Sequence, residues 1–305
     1  MLSLDLLIFV SLIYVAFLFG VAFWAERASD AGRGGWMRTP LIYTLSLSIY
    51  CTAWTFYGAV GFAARSGLEF LTIYLGPTVV LIGWWLILRR LVRIARAERI
   101  TSIADLVSSR FGKSALLGGL VTVMAVVGTT PYIALQLQSV SLSISVFANG
   151  TQNILSSTNI ALWTAAGLAV FTIVFGTRNL DVNERHSGVV MAIAVEAIVK
   201  LLALLAVGVF VVWGLADGAG DVLARIDASP ISQWGVSNGR WIGLTFLSAA
   251  AFLCLPRMFQ VMVVENSEES HLATASWAFP LYLLLMSLFV IPIAVVGLDI
   301  LPAGS

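Results

Sequence analysis

The stretch from Leu41 to Gly61 reads LIYTLSLSIYCTAWTFYGAVG. It is long enough to cross a bilayer as a helix, because about 20 mainly apolar residues suffice. Its centre, Tyr50–Gly58, nevertheless holds two threonines, two tyrosines, a tryptophan and a glycine. Hydroxyl groups and small residues at membrane depth belong where the backbone is buried in protein or lines a cavity. The stretch therefore predicts a membrane helix that is interrupted in the middle.

A second interruption lies within the apolar run from Trp241 to Val264, at Cys254–Arg257 (sequence CLPR). Proline removes a helical N–H donor, and arginine is costly at the centre of a bilayer. A pair of interrupted membrane helices at corresponding positions of two repeats indicates a transporter-type binding site. We therefore expect a solute site where the two interrupted helices meet.

The composition is that of an integral membrane protein. Of the 305 residues, 59% are hydrophobic and 11% are charged, whereas soluble domains carry about 25% charged residues. The net charge of +1 gives no indication of a nucleic-acid partner, and we predict none. The sequence has no nucleophile–base set, metal-ligand cluster or phosphate loop, so we assign no catalytic residue and no cofactor apart from a sodium ion, considered below.

Eight apolar runs are long enough to span a bilayer. They cover residues 4–24, 41–61, 68–88, 115–147, 158–176, 187–214, 241–264 and 272–297. Twelve basic residues fall in the first, third and fifth connections between these runs, whereas the opposite side holds three, Arg65, Arg225 and Arg240. Because basic connections stay on the cytoplasmic side of a membrane, we predict a multi-pass protein whose N-terminus lies outside.

The two interrupted helices are the second and the seventh runs. They are five helices apart, and an odd offset reverses the direction in which a helix crosses the membrane. An inverted five-helix repeat that begins at Leu41 and restarts at Trp241 fits this arrangement. We therefore predict an all-α membrane domain over residues 1–305, with one extra helix (4–24), a complete first repeat (41–214) and two helices of a second, truncated repeat (241–297).

Several motifs resemble those of a known family. Tyr43–Leu47 (YTLSL) followed by Trp54–Gly61 (WTFYGAVG) resembles the first core helix of the sodium/solute symporter family. The segment Ile103–Leu106 with Arg110–Gly112 resembles its loop between the second and third core helices. The nearest branch is the symporter-like N-terminal domain of bacterial sensor histidine kinases, whose matching stretches are Tyr132–Gln138, Glu196–Leu201, Glu265–Asn266 and Ala275–Leu281.

This resemblance covers nearly the whole chain and implies a leucine-transporter-like fold, in which an inverted five-plus-five repeat follows one extra helix. It also implies that backbone carbonyls around Ser48 and Cys51 bind a sodium ion. The residues that it implies for the solute are Trp54, Tyr57, Gln136 and Pro256.

Two departures from the family pattern argue against strong sodium coupling. This chain has Tyr50 where some symporters carry an acidic residue, and the helix with the remaining hydroxyl ligands would lie beyond Ser305.

Trp54 and Tyr57 are three residues apart and would share one face of a helix. Their rings would close over an organic solute; the alternative is aromatic packing between helices. Arg257 would meet a solute carboxylate, extend to the membrane interface or pair with Glu196.

Glu196 and Lys200 are four residues apart within an apolar run, so they share one face of a helix. We expect them to form an intramembrane ion pair, because unpaired charge is costly in a membrane. A proton or sodium relay, a two-state latch for signalling and a static structural pair remain open.

These observations predict a symporter-like module that binds a small, amino-acid-like organic solute and, in one version, also transports it. It would be the sensory input of a histidine kinase in the bacterial inner membrane, with the kinase region beyond this chain as a partner beside solute and lipid bilayer. The first alternative is a truncated, stand-alone sodium/solute symporter. A purely structural membrane partner would require the polar breaks to serve packing alone.

Overall fold

A computed structural model describes residues 4–147, 157–171, 173, 187–235 and 238–300. Within these ranges the chain forms α-helices joined by short turns and connections. In chain order the α-helices are α1 (Leu4–Asp30), α2 (Pro40–Ser46), α3 (Ala59–Ser66), α4 (Thr72–Ile82), α5 (Leu88–Glu98), α6 (Ile103–Arg110), α7 (Ala115–Phe147), α8 (Ser157–Phe171), α9 (Ser187–Phe210), α10 (Ala219–Ala228), α11 (Asn238–Cys254), α12 (Pro256–Phe259), α13 (His271–Ser287) and α14 (Val290–Ile300).

Several of these helices have the length and apolar character of membrane spans. In the described residues, four segments meet both conditions: Leu6–Asp30, Ala115–Ile144, Ser187–Leu215 and His271–Ile300. A fifth is the pair Gly239–Cys254 and Pro256–Val264, whose halves differ in direction by 59°. The chain is therefore a membrane protein. The predicted runs 41–61 and 68–88 form shorter, broken helices, and the run 158–176 extends past the described residues, so eight spans stay a prediction.

Side-chain caps explain where two helices begin. The Thr39 hydroxyl accepts a hydrogen bond from the backbone N–H of Ile42 at 3.4 Å and starts α2. The Ser102 hydroxyl accepts from the N–H of Asp105 at 3.1 Å, and the Asp105 carboxylate in turn accepts from the N–H of Thr101 at 3.1 Å. Such caps satisfy N–H groups that the first turn of a helix leaves without partners. The start of the first interrupted helix is thus set locally.

The chain forms two compact units, of which the first comprises Met1–Arg38 and Thr101–Ile193. Within this unit α7 packs against α6, α8 and α1. The rings of Trp24 and Trp36 are 5.3 Å apart, and the hydroxyl groups of Ser29 and Ser187 are 3.3 Å apart. The long helix α7 carries the candidate residue Gln136 in this unit.

The second unit comprises Thr39–Ile100 and Ala194–Ser305. Within it α4 packs along α11, α13 packs against α2 and α4, and α14 packs against α3. Its largest fully buried aromatic side chains are Phe70, Phe252, Phe259 and Phe279. This unit contains both interrupted helices and most of the predicted site.

Candidate functional site

The first interrupted helix breaks at Cys51. After α2 the chain makes a tight 3-10 turn over Leu47–Tyr50, takes an extended conformation at Cys51 (φ −80°, ψ 104°) and resumes through a wide π-type turn over Trp54–Gly58. A break inside a helix frees backbone carbonyls that the next turn would otherwise have bonded, and buried carbonyls need another donor. The predicted interruption is therefore present, and it creates acceptor groups at the centre of the second unit.

Lys200 supplies a donor at this break. Its Nζ donates to the carbonyl oxygen of Cys51 at 2.9 Å, and it also lies 3.2 Å from a carboxylate oxygen of Glu196. The Lys200 side chain is 15% exposed and that of Glu196 is 38% exposed. The two residues thus form an ion pair along α9, and the ammonium group points from that pair into the first break.

Ser48, on the 3-10 turn, lies beside the same region. Its hydroxyl is fully buried and, among the described residues, has no hydrogen bond of good geometry. The Tyr282 hydroxyl lies close to it but donates instead to the carbonyl of Ala197 at 3.0 Å. A buried hydroxyl without a well-formed bond is costly in a folded protein. Ser48 therefore contributes a buried hydroxyl to the turn just before the first break.

The second interrupted helix breaks at Leu255, which is extended (φ −64°, ψ 127°) between α11 and α12. Pro256 is the first residue of α12, where its missing N–H is not needed. The short helix α12 packs against the turn Leu47–Tyr50. The two breaks therefore meet within one compact unit.

Tyr50 joins the first break to the helices around the second. Its hydroxyl donates to the carbonyl of Ile73 at 2.7 Å and lies 3.1 Å from the hydroxyl of Ser248 on α11. Ser248 donates to the same Ile73 carbonyl at 2.7 Å. The ring of Tyr50 also contacts that of Phe252, with centroids 5.5 Å apart. At the position where some symporters carry an acid, this chain thus has a hydrogen-bonded tyrosine.

Trp54 and Tyr57 lie in different environments. The Trp54 ring is half-buried, with its centroid 6.4 Å from those of both Phe62 and Tyr74. It rests on Gly58, where a Cβ would stand 2.3 Å from the indole Cδ1. Tyr57 is 54% exposed. The prediction that the two rings share one face assumed a regular α-helix. A π-type turn holds more residues per turn, so residues three apart no longer align as they would in an α-helix.

The remaining predicted solute residues are divided between the units. Gln136 is half-buried on α7 of the first unit, whereas Pro256 and Arg257 lie on α12 of the second. Arg257 is half-buried. Pro256 and Arg257 thus lie in the same unit as the first break.

Tyr50, Ser248 and Tyr282 contribute contacts around the breaks that were not predicted. The sequence pattern marks Tyr50 only as a departure from the family pattern and does not distinguish Ser248 or Tyr282. Each is a hydroxyl within an apolar run, which is a signal that the sequence does contain. That signal does not reveal the acceptor, because the carbonyls of Ile73 and Ala197 are far away along the chain.

A cluster of charged groups ties α5 to the loop that follows the second break. The Glu269 carboxylate accepts from Arg93 Nε at 2.7 Å and also binds Arg89, while Arg96 donates to the side-chain oxygen of Asn266 at 2.7 Å. Hydrogen bonds from Arg93, and then from Arg89, hold the pKa of Glu269 below its ordinary value. The ionised form of Glu269 is therefore favoured in the folded protein.

We expect this cluster to make stability depend on pH in the acid range. Because the folded pKa is lowered, Glu269 stabilises the fold at pH values above its unfolded pKa of about 4.3, and this contribution is lost as pH falls through the folded pKa. Glu269→Gln should therefore lower the melting temperature at pH 7, and its difference from the wild type should shrink toward pH 3. Thermal unfolding of the purified proteins in detergent measures the melting temperatures of the variant and the wild type at each pH.

Glu98→Gln provides the matched control, since Glu98 is an exposed carboxylate at the end of α5. This variant should follow the wild-type melting temperature at every pH. A Glu269→Gln protein that is as stable as the wild type at pH 7 would show that ionised Glu269 does not stabilise the fold.

Comparison with known proteins gives one distant similarity. Over 241 residues the chain is 25% identical to an uncharacterized symporter, YhjB, from Bacillus subtilis (strain 168). The aligned region covers 77% of this chain and 46% of the relative, so the chain spans about half the length of the curated relative it matches. No family model and no solved structure matches the chain. Its apolar helices and this similarity together describe a membrane protein that is similar to a symporter.

Proposed function

We propose that the chain is part of a symporter-like module that binds and transports a small organic solute where the two helix breaks meet. The observation that carries this proposal is the packing of α12 against the turn Leu47–Tyr50. Unwound segments at membrane depth persist where they are buried in protein or line a cavity. In transporters built from inverted repeats, such segments bind the substrate, and one repeat then moves against the other.

The chemistry around the breaks favours a solute with a carboxylate and an apolar part. Arg257 on α12, the short helix that packs against the turn before the first break, would bind the carboxylate. Trp54, with Phe62 and Tyr74, provides an aromatic wall next to the first break. Aromatic side chains bind the apolar body of a ligand, and a few placed polar groups orient it. An amino acid is the simplest solute with both features.

Mutation of Trp54 tests the solute site. In full-length protein reconstituted into proteoliposomes, Trp54→Ala should weaken binding of the preferred solute, found by screening a panel of radiolabelled amino acids, by about tenfold or more. A tenfold change corresponds to about 1.4 kcal/mol, which the loss of an aromatic contact readily costs. Scintillation proximity binding measures the affinity, and size-exclusion chromatography verifies folding.

Trp85→Ala is the matched control, because Trp85 is 54% exposed and lies after the end of α4. This variant should bind the solute as the wild type does. An unchanged affinity in Trp54→Ala, with the protein intact, would remove Trp54 from the site and favour the aromatic-packing interpretation.

A sensory role is the fuller version of this proposal. The resemblance of Glu196–Leu201 and Ala275–Leu281 to the kinase-fused branch supports it: solute binding would shift the population of conformers that a histidine kinase region detects. The similarity to a symporter favours the alternative, a stand-alone transporter. Sequencing the intact gene past the codon for Ser305 decides between them. Further membrane helices followed by a kinase core support the sensor, and a stop after the membrane helices supports the transporter.

A further inference from the structure

The resemblance to sodium/solute symporters implies a sodium ion on carbonyls near Ser48 and Cys51. The residues present do not fit such an ion. The ammonium of Lys200 lies 2.9 Å from the Cys51 carbonyl oxygen, which is one of the oxygen atoms that the ion would need. Glu196, at 3.2 Å on the same helix, holds the ammonium in this position.

An ammonium group and a sodium ion make similar demands on their surroundings. Both are monovalent cations that seek oxygen atoms, and the ammonium has three donors and no acceptor. Carbonyls in an unwound membrane helix supply such oxygens to either. Two positive charges that share one carbonyl would repel each other strongly in a weakly polar interior. Occupation by Lys200 and occupation by sodium therefore exclude each other.

We propose that the ammonium of Lys200 replaces the sodium ion at the first break, so that this break is held together without sodium. The geometry of Lys200, Cys51 and Glu196 carries this inference, and only its relevance to transport rests on the proposed function. Other groups near this break are the fully buried hydroxyl of Ser48 and the hydroxyl of Tyr282, which donates to the carbonyl of Ala197.

The consequence for a Lys200 variant is specific. Removing the ammonium leaves the Cys51 carbonyl without its donor, on the same chain segment as the fully buried Ser48 hydroxyl. A sodium ion can then bind where none was required before. We therefore expect Lys200→Ala to create a dependence on sodium that the wild-type protein lacks.

The thiol of Cys51 reports on the state of the break, because Cys51 is only 1% exposed. The test uses the full-length protein in proteoliposomes, with every cysteine except Cys51 replaced by serine, and without solute. The rate of labelling by N-ethylmaleimide is compared in sodium chloride and in choline chloride at equal ionic strength. Wild-type labelling should be slow and equal in both salts, within twofold. Lys200→Ala should be labelled at least tenfold faster in choline, and sodium should slow it in a saturable manner.

Two further variants keep the test decisive. Glu196→Gln retains the ammonium and should remain insensitive to sodium, and Lys200→Met retains most of the side-chain volume if Lys200→Ala does not fold. Sodium protection of the wild-type thiol would overturn the proposal, because the ion would then bind beside Lys200. Equal labelling of the Lys200 variants in both salts would overturn it too. Because no solute is present, these outcomes are independent of whether Trp54→Ala retains solute binding.

Discussion

Gly76→Leu should prevent α4 from packing on α11 and leave the protein aggregated when it is extracted from the membrane. A Cβ at Gly76 would stand 2.4 Å from the backbone nitrogen of Ala249 and 2.5 Å from the hydroxyl of Ser248. A flexible side chain can move away from such a contact, but the backbone of α11 cannot. Overpacking a well-filled core typically costs about 1–3 kcal/mol, and here the two helices would have to separate along their contact.

The damage should extend to the helix breaks. The contact between α4 and α11 places Ser248 beside the carbonyl of Ile73, to which both Ser248 and Tyr50 donate. If the helices separate, the buried Ser248 hydroxyl loses this acceptor, and a buried group left unsatisfied costs about 1–3 kcal/mol. The overpacking cost and the cost of the lost hydrogen bond together approach the net free energy of unfolding of many proteins, about 5–15 kcal/mol. We therefore expect loss of the folded state rather than a small shift.

Gly243→Leu is the matched control, because Gly243 lies on α11 itself and a Cβ there has no heavy atom within 4 Å. Fluorescence-detected size-exclusion chromatography and thermal unfolding of the full-length protein measure the outcome. Gly76→Leu should give no monodisperse peak, and Gly243→Leu should melt near the wild-type temperature. A monodisperse Gly76→Leu protein with wild-type stability would show that α4 and α11 are not in close contact.

The positions of both helix breaks were predictable because their causes are local. Pro256 cannot continue the hydrogen bonding of α11, and the threonines, tyrosines and glycine of Tyr50–Gly58 are unfavourable in a helix that faces lipid. The pairing of Glu196 with Lys200 was predictable for the same reason, since residues four apart share one helical face. The local sequence pattern does not reveal which distant residues these features contact.

The second contact of Lys200 illustrates this limit. Cys51 lies 149 residues away along the chain, so spacing on α9 says nothing about it. The π-type turn at Trp54–Gly58 depends likewise on the packing of the Trp54 ring over Gly58 and against Tyr74. The number of spans was harder to predict, because hydropathy counts apolar residues without revealing whether a helix through them is continuous. Residues 41–61 and 68–88 are apolar, yet each is divided into short helices.

The charge-swapped pair, Glu196→Lys combined with Lys200→Glu, should be strongly destabilised. The swap keeps an acid and a base four residues apart on α9, so an ion pair that is merely structural would survive with little loss. It also replaces the donor at position 200 by a carboxylate, which has no proton to donate to the Cys51 carbonyl 2.9 Å from the present ammonium. The unsatisfied carbonyl alone should cost about 1–3 kcal/mol, and repulsion between two oxygen atoms adds to this.

Glu196→Gln separates the two contacts of Lys200, because it removes the ion pair and retains the ammonium at the Cys51 carbonyl. We expect its melting temperature to fall less than that of the charge-swapped protein, since the Glu196 side chain is 38% exposed and partly exposed ion pairs contribute little. Equal stability of the swapped and wild-type proteins would mean that Lys200 serves only as the partner of Glu196 in a static ion pair. A severe loss in the swapped protein beside a mild one in Glu196→Gln would instead show that stability at the first break depends on a positive donor at position 200.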